Sequence, residues 1–282
     1  MTNHEGLDIL DALHESRRRG LVMKKLVAAA ALTAAAMSVS LARAGDTQDL
    51  HDYAVDRAGC LYDIDIEALT WKRVGQVRVQ LEGGGHEAPT LCDLAASADG
   101  YLYGISESAL YLIRIEKPED SKKIGDHHLD NTYGMGMGPK GELVVNTLGG
   151  EVYTLDPKTA KGKLVGPMKG GFVASGDLAM VHTRTTPNGK AEDVIVSSVK
   201  KNGVEHIVTI DLATGAATDR GECVDERGDP VLSVFGIIVR KEIVYGLTNG
   251  GDIIRIDPFT AKCKILKRTG ISWWGATDYQ RL

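Results

Sequence analysis

An all-β chain folded as a five-bladed propeller is what this 282-residue sequence predicts, and three observations carry that reading. One unit recurs at near-regular spacing. Each copy alternates apolar and polar residues at the strand period, and the two ends of the chain complement each other. The unit is an aliphatic strand, a short turn, a Leu-Tyr-like strand and an apolar-x-Ile-Asp-x-x-Thr hairpin. Its clearest copies are Leu61-Tyr62-Asp63-Ile64-Asp65, Tyr111-Leu112-Ile113-Arg114-Ile115-Glu116, Val152-Tyr153-Thr154-Leu155-Asp156, Ile207-Val208-Thr209-Ile210-Asp211 and Ile253-Ile254-Arg255-Ile256-Asp257. Anchored on Asp65, Glu116, Asp156, Asp211 and Asp257, the spacings are 51, 40, 55 and 46 residues around a mean of 48. That is near the period of four-stranded blades.

Taken in order, the first unit starts late. His51 to Val77 supplies three strands and lacks an inner one. The inner strands of the later units read Cys92-Asp93-Leu94-Ala95, Tyr133-Gly134-Met135-Gly136, Gly176-Asp177-Leu178-Ala179 and Phe235-Gly236-Ile237-Ile238. After the fifth anchor one strand is left over, Trp273 to Tyr279. Placed against the first unit, it completes blade one and closes the ring, which removes exposed strand edges. Turn chemistry follows the anchors at Asp156-Pro157-Lys158-Thr159, Asp211-Leu212-Ala213-Thr214-Gly215 and Asp257-Pro258-Phe259-Thr260. Asp and Thr side chains there bond nearby backbone groups, and Pro presets φ. Thr147-Leu148-Gly149-Gly150 and Thr248-Asn249-Gly250-Gly251 read as equivalent tight turns. Their glycines permit positive φ, and no helix follows that would make them phosphate cradles.

Composition is ordinary for a globular chain, at 43% hydrophobic and 25% charged with a net charge of −5. That excludes collagen, long disorder and a polytopic membrane protein. Met23-Lys24-Lys25, an uncharged run from Leu26 to Leu41 and Ala42-Arg43-Ala44 follow the order of a cleavable signal peptide. The expectation is therefore residues 1–44 as extension and signal, cleavage after Ala44, and one propeller domain over 45–282, secreted or periplasmic. Met23 competes with Met1 as the start. Cleavage leaves no membrane-inserted segment. It also takes away six basic and four acidic side chains, moving the net charge from −5 to −7. A net-negative surface without a Lys/Arg cluster excludes nucleic acid as the expected partner.

The pattern Asp-Leu-Ala…Asp99-Gly100-Tyr101-Leu102-Tyr103-Gly104…Ile-Asp-x-x-Thr resembles the repeats of secreted bacterial β-propeller proteins, over almost all of residues 48–280. The resemblance implies the fold and no chemistry, because these repeats carry no catalytic motif. The Trp-Asp and Gly-His signatures of WD40 repeats are absent.

Candidate functional residues fall mainly in the crossovers between blades, since loops on a rigid scaffold carry function. These are His86, Glu87, His127, His128, Asp130, Asp225, Glu226, Arg227 and Asp229, with Trp273 and Trp274 as stacking surfaces for a sugar. His86 and His127 are the candidate ligands of a divalent metal, though no fixed metal-site spacing is matched. Asp93, Asp177 and Asp278 are candidate carboxylates around the axis; the competing reading makes Asp-Leu-Ala a backbone cap intrinsic to the repeat. No Gly-x-Ser-x-Gly, His-Glu-x-x-His or Cys-x-x-Cys occurs, so no catalytic residue is assigned. Four Cys suit an exported compartment, with Cys60–Cys92 and Cys223–Cys263 the preferred pairs and four buried thiols the alternative. The function expected is a monomeric, non-catalytic module binding a protein or glycan at its crossover face without a cofactor. A metal-assisted hydrolase or lyase, on that face or on the axis, is the alternative.

Overall fold

A strand alternates its side chains between two faces, and the twenty strands of the five blades run from inner ones buried on both faces between neighbouring blades to outer ones largely exposed. The structure, a computed structural model, describes residues 50–280 except 82 and 184–191; the expected signal segment lies outside the described residues. Blade one pairs β1 (Leu50–Asp56), β2 (Cys60–Asp65) and β3 (Thr70–Gln76) with the C-terminal β22 (Trp273–Gln280) in the order β22-β1-β2-β3. Between it and blade two lies a short hairpin of β4 (Val79–Gln80) and β5 (His86–Glu87). Blade two is β6 (Asp93–Ala96), β7 (Leu102–Ile105), β8 (Ala109–Ile113) and β9 (Lys122–Asp126). Blade three is β10 (Thr132–Met137), β11 (Leu143–Thr147), β12 (Glu151–Leu155) and β13 (Gly162–Pro167). Blade four is β14 (Val173–Thr183), β15 (Glu192–Lys201), β16 (Val204–Ile210) and β17 (Ala217–Glu222). Blade five is β18 (Val234–Arg240), β19 (Ile243–Thr248), β20 (Asp252–Ile256) and β21 (Cys263–Arg268).

The uneven spacing of the anchors has a structural cause. The interval of 51 contains the extra β4–β5 hairpin, and that of 55 contains the long strands β14 and β15, of 11 and 10 residues. A 3-10 turn at Pro118–Asp120 joins β8 to β9.

The core is divided into five sectors, one between each pair of neighbouring blades. Alternation sorts residues between them. On β18, Ile237 packs with Ala179 and Val181 of blade four, while Ile238 packs with Ala54 and Ile64 of blade one. The anchor carboxylates close their hairpins as expected. Asp156 Oδ1 accepts from the Lys158 N–H at 2.7 Å, Asp211 Oδ1 from Ala213 at 2.9 Å and Asp257 Oδ1 from Phe259 at 2.9 Å.

Ring closure rests on β22. It pairs antiparallel with β1 from Leu50↔Gln280 to Asp56↔Trp273. The Trp273 ring is wholly buried, edge-on to Tyr62 and Trp71, with centroids 5.3 and 6.2 Å away. Arg240, at the end of β18, is buried and ion-paired to Asp52 of β1, which joins blade five to blade one. Burial pushes Asp52 up to about 7 against the opposing pull of Arg240.

The axis itself is filled by backbone. A Cβ on Gly134 of β10 would lie 2.2 Å from the Gly176 carbonyl of β14, and one on Gly176 would lie 2.1 Å from the Val234 carbonyl of β18. A Cβ on Gly236 would meet Ala276 of β22 at 2.8 Å, and one on Gly275 would meet Asp93 Cα of β6 at 2.5 Å. Only glycine lets the inner strands approach this closely.

Candidate functional site

Toward one end of the inner strands the axis opens. At the end formed by the turns that join first to second strands lies a mouth of about 680 Å³. Gly136, Leu178, Ile237 and Ala276 line it from the inner strands, and Met137, Pro139, Met180 and Val239 add apolar surface. Its polar groups are Ser97, His182, Asp193, Lys241, Glu242, Thr277 and Asp278. A second cavity of about 300 Å³ shares Pro139, Met180 and Asp193 with it and continues past Ile210 and Leu212 to Thr218 and Arg220. The two make a groove running from the axis outward across blade four.

Several polar groups of the mouth already have partners. His182 Nδ1 and Asp193 Oδ1 are 2.8 Å apart, and Lys241 Nζ is 2.8 Å from Glu67 Oε1. The Ser97 hydroxyl closes its own turn through Asp99 and Tyr101. Asp278 differs. Burial raises its pKa, and the cation opposing that rise most is Arg240, whose charge is already shared with Asp52. This is an apolar recess ending on a carboxylate whose charge is only partly compensated.

Directly behind the lining lie Asp93 and Asp177, both wholly buried. Asp93 accepts three backbone N–H groups: Leu94 at 2.8 Å, Met135 at 2.8 Å and Ala276 at 3.2 Å. Asp177 Oδ2 accepts from Ile237, and its Oδ1 has no donor to accept from. The two carboxyls face each other, and burial raises both well above the ordinary value of 3.8. The physical resolution is one shared proton. The three backbone donors of Asp93 favour the charge there, and so favour the proton on Asp177. Both are structural caps on the neighbouring inner strands.

No family model matches the chain, and no curated protein matches it. Solved structures resemble it in fold. The Dos1 propeller does so at a TM-score of 0.40 and 15% identity, over 73% of this chain and 54% of that one. A chain of a nidogen–laminin complex does so at 0.48 and 10%, over 81% and 98%, and U3-55K at 0.41 and 10%, over 78% and 64%. The chain thus spans about half the length of the Dos1 structure it matches. At such identities the likeness concerns the propeller fold alone.

The crossover candidates lie at the opposite end of the axis, and none of them lines either cavity. His86 and Glu87 are exposed on the β4–β5 hairpin, and His128 and Asp130 are exposed beyond β9. His127 is buried, its Nε2 3.1 Å from the Ser106 carbonyl and its Nδ1 accepting the Leu129 N–H at 3.1 Å. With both ring nitrogens engaged, and burial lowering its pKa, it has no lone pair to give a metal. Among the described residues no three His, Cys, Asp or Glu side chains gather as a metal site would require. Asp225 accepts the Arg227 and Asp229 N–H groups with Oδ1, at 2.8 and 2.9 Å, closing its own loop. Trp273, expected as a sugar platform, is core and has no exposed face. Trp274 is half-buried, edge-on to Phe235 and beneath Arg57.

Of the residues singled out in the sequence, only Asp278 lines the mouth. Met137, Pro139, Met180, His182, Asp193 and Lys241 escaped sequence reasoning, although all lie in or beside the first-to-second-strand turns. That shared position was the available signal.

Proposed function

We propose that this protein is a non-catalytic binding propeller whose axial mouth takes a basic side chain presented by a protein partner. The observation that carries this reading is the recess itself. Met137, Met180 and Val239 offer apolar surface for an alkyl stem, and Asp278 offers a partly compensated carboxylate for its cationic tip. The groove continuing past Leu212 toward Arg220 gives an extended segment room to lie across blade four. A protein ligand suits this shape better than a glycan, because the stacking ring expected of Trp273 is core.

Binding to a displayed library of short peptides tests the site. Peptides with Lys or Arg flanked by apolar residues are expected to be enriched over their Glu counterparts. Asp278→Asn, which removes one charged partner worth about 1.5–3 kcal/mol, weakens them roughly tenfold or more. Met180→Asp, which places charge on the apolar wall, weakens them as well. His86→Ala and Asp229→Ala leave them unchanged. Loss of binding on the crossover changes, with the mouth variants normal, would move the site to the opposite face.

Export belongs to the same reading, on the strength of the Met23-to-Ala44 signal pattern. Protein recovered from the periplasm or medium is expected to begin at Gly45. Recovery from the cytoplasm with Met1 or Met23 at the amino terminus would contradict it.

A further inference from the structure

Cys223 follows β17, the outer strand of blade four, and Cys263 opens β21, the outer strand of blade five. Their backbones are held together from both sides. The Cys263 N–H donates to the Val224 carbonyl at 2.7 Å and the Val224 N–H to the Ala261 carbonyl at 3.4 Å, so that Val224 bridges Lys262 in parallel, while the Cys223 N–H is fixed within blade four by the Glu205 carbonyl at 2.9 Å. The sulfurs stand 2.6 Å apart. That is much closer than non-bonded sulfur atoms pack, and near the ~2.05 Å of a sulfur–sulfur bond. Both residues are buried in an apolar cluster with Ala179, Val231, Ile256 and Ala261. The other two cysteines are placed differently. Cys60 Sγ accepts from Arg73 Nη2 at 3.2 Å, and burial pushes the Cys92 thiol up to about 12.

We infer that Cys223 and Cys263 are oxidised to a disulfide that staples blade four to blade five, and that Cys60 and Cys92 stay reduced. The co-reactant is a disulfide, either a small molecule or a protein oxidant. One cysteine thiolate attacks a sulfur of that disulfide and expels the first thiolate, leaving a mixed disulfide. The second cysteine gives up its proton and attacks the protein sulfur of the mixed disulfide, expelling the second thiolate. Two protein S–H bonds and one S–S bond of the oxidant are exchanged for one protein S–S bond and two thiols. At 1% and 3% exposure the pair is closed to any such reagent once blades four and five have docked. The exchange therefore belongs to folding, and the finished bond resists reductants until the seam opens. The cross-link encloses β18, β19 and β20, so it secures the blade that meets the ring closure.

The test uses the full-length chain, refolded from denaturant with oxidised glutathione, which separates this inference from the question of export. After alkylation in denaturant, peptide mapping without reduction is expected to show one linked pair containing Cys223 and Cys263, with Cys60 and Cys92 alkylated. In the native state a reductant leaves the link intact, and adding denaturant releases it. The melting temperature falls by roughly 10 °C on full reduction. The double variant Cys223→Ser/Cys263→Ser melts with the reduced protein and no longer responds to reductant, whereas Cys60→Ser still responds. Four alkylated sulfurs after refolding, or a link through Cys60 or Cys92, overturns the inference.

Discussion

A chain lacking Ile271–Leu282 is expected to have no cooperative melting transition. The deleted strand is the inner strand of blade one, and β1 loses its whole ladder to it, from Leu50↔Gln280 to Asp56↔Trp273. Trp273 leaves with it, and emptying a buried Trp site alone costs about 3–5 kcal/mol. Two polar ties to blade two also go: the Ala276 N–H to Asp93 at 3.2 Å, and the Ala96 N–H to Thr277 Oγ1 at 3.2 Å. Together these exceed what a domain with about 5–15 kcal/mol of total stability can lose. Calorimetry or circular dichroism of the truncated protein decides the matter. A single transition at an unchanged temperature would refute closure by the C-terminal strand.

The second large effect separates two residues that the sequence makes equivalent. Asp93→Asn is expected to destabilise by on the order of 3 kcal/mol, because an amide nitrogen then faces backbone N–H groups that need an acceptor. Asp177→Asn is expected to be close to neutral at low pH. Its Oδ1 has no donor to lose, and an amide N–H there can donate to Asp93 as the shared proton does. The two proteins also differ in pH dependence. The paired carboxyls have folded-state pKa values raised above 3.8, so their contribution is complete below that value and declines as pH rises through the elevated ones. Asp177→Asn removes the proton that must be held, so it gains on the wild type as the solution becomes alkaline. Melting temperatures measured across pH for all three proteins check this. Equal losses in both variants would show that no proton is shared.

Architecture was legible because each of its signals is local and repeated. The Asp-x-x-Thr hairpins bond as their chemistry requires, and the unpaired first unit and surplus last strand meet as β1 and β22. Asp93 and Asp177 also act as the backbone caps that their place in the repeat implied. The mouth was not legible. Polar density in a loop is equally the mark of a turn closing on itself, as Asp225 does, or of a side chain tying strands together, as His127 does. The mouth is lined by Leu178, Ile237 and Ala276, whose spacing is that of any inner strand. Concavity at the axis arises from five segments far apart in the chain, and no window of sequence contains it. The cysteines divide the same way. Cys263 meets Cys223 because their strands adjoin, whereas Cys60, matched with Cys92 by blade order, turns to Arg73.

The glycines at the axis also answer why this ring counts to five. Gly134 leans on blade four, Gly176 on blade five, Gly236 on blade one and Gly275 on blade two. Blade two has no glycine in β6, and there the Asp93 carboxylate reaches the Met135 N–H of blade three instead. Every inner strand is thus keyed to one particular successor. A sixth blade would move these backbones apart and leave four absent side chains around a hole, and a blade moved elsewhere would meet the wrong neighbour. Blades built on one repeated unit could in principle be exchanged. Here the smallest residue has made them a numbered series.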